Sequence, residues 1–103
     1  ATASMRGGSG FSAFSSAKFA LRAVSQSMAR ELGPKGIHVA HFVIDGAIDT
    51  AFIKETFPET YALKEKDGIL QPDAIADAYW YVHSQHRSAW THEIDLRPYM
   101  EKF

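Results

Sequence analysis

The stretch Leu32-Gly33-Pro34-Lys35-Gly36-Ile37-His38-Val39-Ala40-His41-Phe42-Val43-Ile44 decides the fold. Gly33 reads as a helix stop, Pro34 forbids continuation, and Gly36 completes the turn. Ile37 to Ile44 then reads as a short strand rich in β-branched residues. Its end, Phe42-Val43-Ile44, is apolar on both faces, which suits a strand covered from both sides. Upstream, from about Phe11 to Leu32, apolar residues recur at helical spacing: Phe14, Ala17, Leu21, Val24, Met28 and Leu32. That stripe predicts a helix face turned to a core. An adjacent face carries Ser16, Phe19, Ala20, Ala23 and Ser27, mostly small, which lets a second helix approach closely. Helix, short turn and buried strand make the second half of a βαβ unit.

Downstream of the strand, Asp45-Gly46-Ala47-Ile48-Asp49-Thr50 is a loop at its carboxyl end. Ligands of open α/β sheets bind at such ends. Ala51 to Thr56 reads as a short helix ended by Phe57-Pro58, and Glu59 to Lys66 as another with Gly68 as its stop. The run Lys64-Glu65-Lys66-Asp67 is a solvated face. Pro72 opens a further helix, with Asp73 favourable near its amino terminus. Ile75, Ala78, Tyr79 and Val82 form its apolar face, and it ends near Gln85. Thr91 to Leu96 alternates as a strand, which Pro98 ends. At the front, Ala1-Thr2-Ala3-Ser4 reads as the tail of an element. Arg6-Gly7-Gly8-Ser9-Gly10 reads as a surface turn more readily than a phosphate cradle, because no strand precedes it at a dinucleotide fingerprint's spacing.

Composition narrows the function classes. With 46% hydrophobic and 22% charged residues, the 103-residue chain is not a disordered segment. Its 11 basic and 12 acidic residues give a net charge of -1, which argues against a nucleic-acid partner. No cysteine is present, so disulfides, thiolate metal sites and a cysteine nucleophile are excluded. No apolar run approaches the ~20 residues of a membrane span, and no secretory signal opens the chain. A cytoplasmic protein without a membrane partner is the expectation.

Five histidines raise the question of a metal. His38 and His41 point to opposite faces of a strand. His83 and His86 could share a helix face, but two ligands do not make a zinc site. Tyr79-Trp80-Tyr81 reads as core or interface packing, since no basic stripe accompanies it.

Several ordered motifs together closely resemble the short-chain dehydrogenase/reductase family. They are Phe14-Ser15-Ser16-Ala17-Lys18 with Phe19-Ala20-Leu21, then Ser27-Met28-Ala29-Arg30-Glu31-Leu32, then Gly36-Ile37-His38-Val39. After the strand, Gly46, Ile48 and Thr50 match the family's loop, with Asp45 where Pro is usual. Pro72-Asp73-Ala74-Ile75-Ala76 resembles the start of its last long helix. Thr91-His92-Glu93-Ile94-Asp95-Leu96 resembles its last strand, with His92 where Gly is usual. The resemblance implies an α/β fold: the carboxyl-terminal part of a Rossmann-type doubly wound parallel sheet, with about two strands and three to four helices. Residues 1–103 then form one partial domain lacking the amino-terminal dinucleotide-binding half.

The resemblance also implies a chemistry, and the chain departs from it. In the family a Tyr is general acid/base, and a Lys binds the nicotinamide ribose and favours the phenolate. A Ser hydrogen-bonds the substrate oxygen. Here Phe14 stands at the Tyr position and has no ionisable group. The register of the Ser falls on Ala1, with Thr2 and Ser4 near but off that register. Lys18 remains, and with Gly46, Ile48 and Thr50 it is the expected cofactor contact. Thr50 is read equally as a helix N-cap. The cofactor implied is NAD or NADP, not bound by this chain alone. The resemblance further implies a homo-oligomer through Ser16, Phe19, Ala20, Ala23 and Ser27. Two functions follow: part of an NAD(P)-dependent oxidoreductase, inactive as this chain alone, or a non-catalytic structural or interaction fragment.

Overall fold

Two strands, His41–Ile44 (β1) and Glu93–Leu96 (β2), run parallel and pair His41 with Glu93, Phe42 with Ile94, Val43 with Asp95 and Ile44 with Leu96. The computed structural model describes all residues from 1 to 103. Before β1 come a 3-10 turn, Thr2–Ser4, and the long helix α1, Ser12–Leu32. Between the strands lie α2 (Ala51–Thr56), α3 (Pro58–Tyr61), a 3-10 turn Ala62–Lys66, and α4 (Pro72–His83). This is the α/β crossover that the sequence implies: parallel neighbours need a long connection, and helices supply it. No helix is long and apolar enough to cross a membrane.

Both strands are shorter than their sequences suggest. Residues 37–40 lie outside β1, and 91–92 likewise lie outside β2. Side chains satisfy the backbone there instead. His38 Nε2 donates to the Thr91 carbonyl at 2.7 Å, and His92 Nδ1 donates to the Val39 carbonyl at 3.1 Å. The ladder starts only where His41 N–H reaches the His92 carbonyl at 2.7 Å.

The end of α1 also differs in detail. Gly33 keeps a right-handed conformation and begins a 3-10 turn, Gly33–Lys35, with Pro34 in its first turn. The left-handed stop is Gly36, at φ 83°, where a side chain would be strained. The Ala1–Ser4 segment is a 3-10 turn, and the segment expected as one helix over 59–66 is split into α3 and a 3-10 turn. Helix α4 closes two residues earlier than Gln85.

The largest correction concerns which face of α1 turns inward. The apolar stripe expected in a core is open: Phe14, Leu21, Val24 and Met28 are 42–53% exposed. The inward face lies one residue further on, with Ser15 and Ser25 buried and Arg22 between them. Arg22 explains the rotation. Its guanidinium grips Glu93 through two bonds, Nε at 2.8 Å and Nη2 at 2.6 Å, and donates to the Ser4 carbonyl at 3.2 Å. That fork ties α1 to β2 and to the first turn at once.

The buried apolar core is correspondingly small: Val43, Val82, Ile69, Leu70 and Ala3. Tyr79 stacks on Phe42 with ring centres 3.7 Å apart, but Trp80 and Tyr81 stay exposed rather than packed. The chain leaves 7262 Å² accessible and has a radius of gyration of 15.4 Å. A compact monomer of this mass would expose about 5,800 Å² with a radius near ~13 Å. The apolar surface of α1 is therefore available for burial against another surface.

Candidate functional site

A pocket of about 390 Å³ opens at the carboxyl end of β1, where the strand-end rule places ligands. Ile44 and Gly46 form its floor side, Phe11, Phe14 and Ser15 come from the start of α1, and Ala1, Thr2, Ala3, Arg6 and Gly8 close it. The glycine-rich loop thus reaches the site through Gly8, with Gly10 in a left-handed conformation at φ 82°.

Phe14 lines this pocket, and Lys18, one helical turn on, places its ammonium 5.7 Å from the Phe14 ring centre. That is cation–π range. No carboxylate pairs with Lys18. Gly46 sits at φ 146°, and a Cβ there would stand 2.9 Å from Pro98 Cδ and 3.4 Å from Leu70 Cδ1. Glycine is needed on both counts. Ile48 is joined to Leu70 by an isolated parallel bridge, and Asp49 N–H and Leu70 N–H extend that contact at 2.8 Å each. Thr50 is the N-cap of α2, its Oγ1 accepting from Ile53 N–H at 3.3 Å. The structure therefore brings Phe14 and Gly46 to one pocket, while Lys18, Ile48 and Thr50 lie outside its lining.

Asp45, between the lining residues Ile44 and Gly46, is buried at 2% exposure. Thr2 donates its hydroxyl hydrogen to Asp45 Oδ1. Arg97 Nε donates to Asp45 Oδ2 at 3.2 Å, and its Nη2 also holds Asp95. Burial pushes the Asp45 carboxyl upward, but the bonds from Thr2 and Arg97 outweigh it and hold the group below its ordinary value. Asp45 is thus a carboxylate, not an acid. Ser4, the other nearby hydroxyl, is buried and donates to the Ala1 carbonyl at 2.7 Å. Ser15 Oγ, buried beside Phe14, has no hydrogen-bond partner.

Sequence reasoning marked Asp45 only as a departure from the family pattern and did not single out Arg97 or Ser15. A signal existed for Arg97. The strands end together at Ile44 and Leu96, so the residues just beyond them meet, and Asp45 and Arg97 carry opposite charges.

The same helix and strands hold a second polar group away from the pocket. His41 is buried opposite Glu93, and burial lowers its pKa despite the Glu93 charge. The Arg22 bonds hold the Glu93 carboxyl low. The surface histidines are otherwise engaged: His83 lies against Trp80, and His86 Nδ1 accepts from Ser88 N–H at 3.2 Å.

Residues 1–94 match the family model described as Enoyl-(Acyl carrier protein) reductase. A short-chain dehydrogenase from Rhodopseudomonas palustris, known as a crystal structure, is 51% identical over 95% of this chain, with a TM-score of 0.67. The chain belongs to the short-chain dehydrogenase/reductase family. It spans 35% of the length of that dehydrogenase. Among curated proteins none matches. In short-chain dehydrogenase terms, the two parallel strands and the helices around them are a partial Rossmann-type sheet.

Proposed function

We propose that the chain is the nicotinamide-end portion of an NAD(P)-dependent short-chain oxidoreductase, with an atypical site that cannot perform the tyrosine step. The observation that carries this reading is Phe14 in the strand-end pocket with Lys18 retained behind it. The residues present fit one end of the cofactor. Gly46 lines the pocket with backbone and no side chain, and Lys18 offers a cation with no carboxylate partner. Lys18, Gly46, Ile48 and Thr50 would hold the nicotinamide ribose and its neighbour. The cofactor, when bound, supplies or accepts a hydride.

The chain's own residues define what the site can do with a proton. Phe14 offers none. Thr2 commits its hydrogen to Asp45, and the Asp45 carboxylate is held ionised by Arg97. As this chain alone, the protein does not turn over a carbonyl substrate. The exposed α1 face favours the second reading as a companion role: self-association through Ser16, Phe19, Ala20, Ala23 and Ser27, all accessible, with Phe19 42% exposed. A cytoplasmic setting suits a cysteine-free chain using a nicotinamide cofactor.

Titration of the isotope-labelled chain with reduced nicotinamide mononucleotide, followed by amide shifts, tests the cofactor reading. Shifts at Gly46, Ile48 and Thr50 that vanish in Lys18→Ala are expected. A folded chain with no shift at these residues at millimolar nucleotide would refute it.

A further inference from the structure

Towards the amino end of β1, away from Phe14, a second pocket of about 500 Å³ opens between the strand, the end of α4 and the turn that follows it. Its size is that of a small-molecule site. Residues 36, 38, 40 and 42 line it, an alternation that brings two stacked aromatic pairs to one side of the chain. His38 lies on Trp90 with ring centres 4.5 Å apart and planes 2° from parallel, and Phe42 lies on Tyr79 at 3.7 Å. All four rings belong to the lining.

Arg87 borders this pocket, and no Asp or Glu does. Its guanidinium has no ion-pair partner. Two other polar side chains of the lining are already engaged. His38 Nε2 donates to the Thr91 carbonyl at 2.7 Å, and the Gln85 amide donates to Thr91 Oγ1 at 2.8 Å and accepts from Thr91 N–H at 2.9 Å. With no acid in the lining, a cationic ligand finds no counter-charge. A guanidinium presents paired N–H donors whose spacing matches an anion's oxygens. One guanidinium balances one negative charge, which favours a carboxylate over a dianionic phosphate ester. The aromatic walls suit a planar ring.

We propose that this pocket is a second binding site, for a planar aromatic carboxylate, with Arg87 taking the carboxylate and Trp90 and Tyr79 flanking the ring. The two pockets share no lining residue. This site therefore stands apart from the nicotinamide reading, and a failed nucleotide titration would leave it untouched.

The test is the binding of 1-naphthoate, 1-naphthamide, acetate and 1-naphthyl phosphate to the full 103-residue chain. Amide shifts of Gly36 and Arg87 and the indole N–H shift of Trp90 report occupancy, and the α1 amide pattern reports folding. Naphthoate is expected to bind about tenfold more tightly than the neutral amide, the equivalent of one charge-assisted hydrogen bond. Acetate, which has no ring, should shift nothing at the same concentration, and the phosphate ester should bind no better than naphthoate. Arg87→Gln should bring naphthoate down to the level of the amide. Trp90→Leu should weaken both compounds together. If Trp90→Leu does not fold, the acetate comparison on the wild type decides the role of the ring. Equal affinities for acid and amide, a preference for the phosphate ester, shifts with acetate, naphthoate binding unaltered in Arg87→Gln, or no binding of naphthoate to the folded chain would overturn the proposal.

Discussion

Lys18 holds its ammonium 5.7 Å from the ring centre of Phe14, so the cation that would tune a phenol faces a ring without a hydroxyl. Helix α1 fixes this relationship, because residues four apart share a face. On the proposed reading, the site keeps the lysine of an acid/base pair and carries Phe14 in place of the group that titrates.

Restoring that group tests the geometry. Phe14→Tyr places a phenol in the pocket with an unpaired cation nearby. Its pKa should fall below the ordinary ~10 by about one unit or more, and return towards it when Lys18→Ala is added. Ultraviolet titration of the introduced phenol, against the wild-type chain as baseline, measures this. An unshifted phenol would show that Lys18 does not address the pocket. No strong NAD(P)H oxidation should accompany the change, since Ala1 stands at the register of the family's Ser and Thr2 commits its hydrogen to Asp45.

Gly46→Ala should destabilise the chain by about 1–3 kcal/mol, the cost of a side chain in a conformation reserved for glycine. The added Cβ also meets Pro98 Cδ at 2.9 Å. Denaturant unfolding of the two proteins measures the difference. Equal midpoints would mean that the turn after β1 relaxes freely.

Acid should weaken the fold in two steps. His41 has a folded pKa below its unfolded value of 6.5 because burial disfavours its charged form. Its stabilising contribution is full above pH 6.5 and is lost as pH falls below that value towards the folded pKa. Asp45 and Glu93, both lowered in the folded state, contribute above their unfolded values of 3.8 and 4.5 and lose that contribution in stronger acid. Stability measured from pH 8 to 3 should decline first near 6, then again below about 4. His41→Leu should flatten only the first step. A first step unchanged by that substitution would assign it elsewhere.

The crossover from α1 through β1 to β2 was legible in the sequence because glycine, proline and β-branched residues act locally. Gly33-Pro34 and Gly36 end α1, and Val43, buried at 1% exposure, anchors β1. The inward face of α1 was not legible, because it is set by one long-range fork, Arg22 on Glu93, against the hydrophobic pattern. At the site, Phe14 and Gly46 could be placed from the motif, and Thr50 showed its cap chemistry. The Thr2–Asp45–Arg97 chain was hidden because its members lie 43 and 52 residues apart and meet only once the strands pair.

The open α1 face predicts self-association. Ser16, Ala20 and Ala23 permit close helix crossing, and Phe19 supplies apolar area beside them. Wild type should sediment as a dimer or larger assembly at micromolar concentration, and Ala23→Arg should shift it to monomer. A wild-type monomer, unchanged by the bulky charge, would remove this face as an interface.

The central proposal is that this short-chain family member keeps the lysine but carries Phe14 where the reaction needs a titrating hydroxyl. Its most direct test is NADPH oxidation by the pure chain with a carbonyl substrate, followed by absorbance. General acid/base catalysis typically supplies ~10²–10⁴-fold in rate, and that contribution should be missing. The expected trace is flat and identical in Lys18→Ala. Steady oxidation by wild type, abolished in Lys18→Ala, would contradict the account.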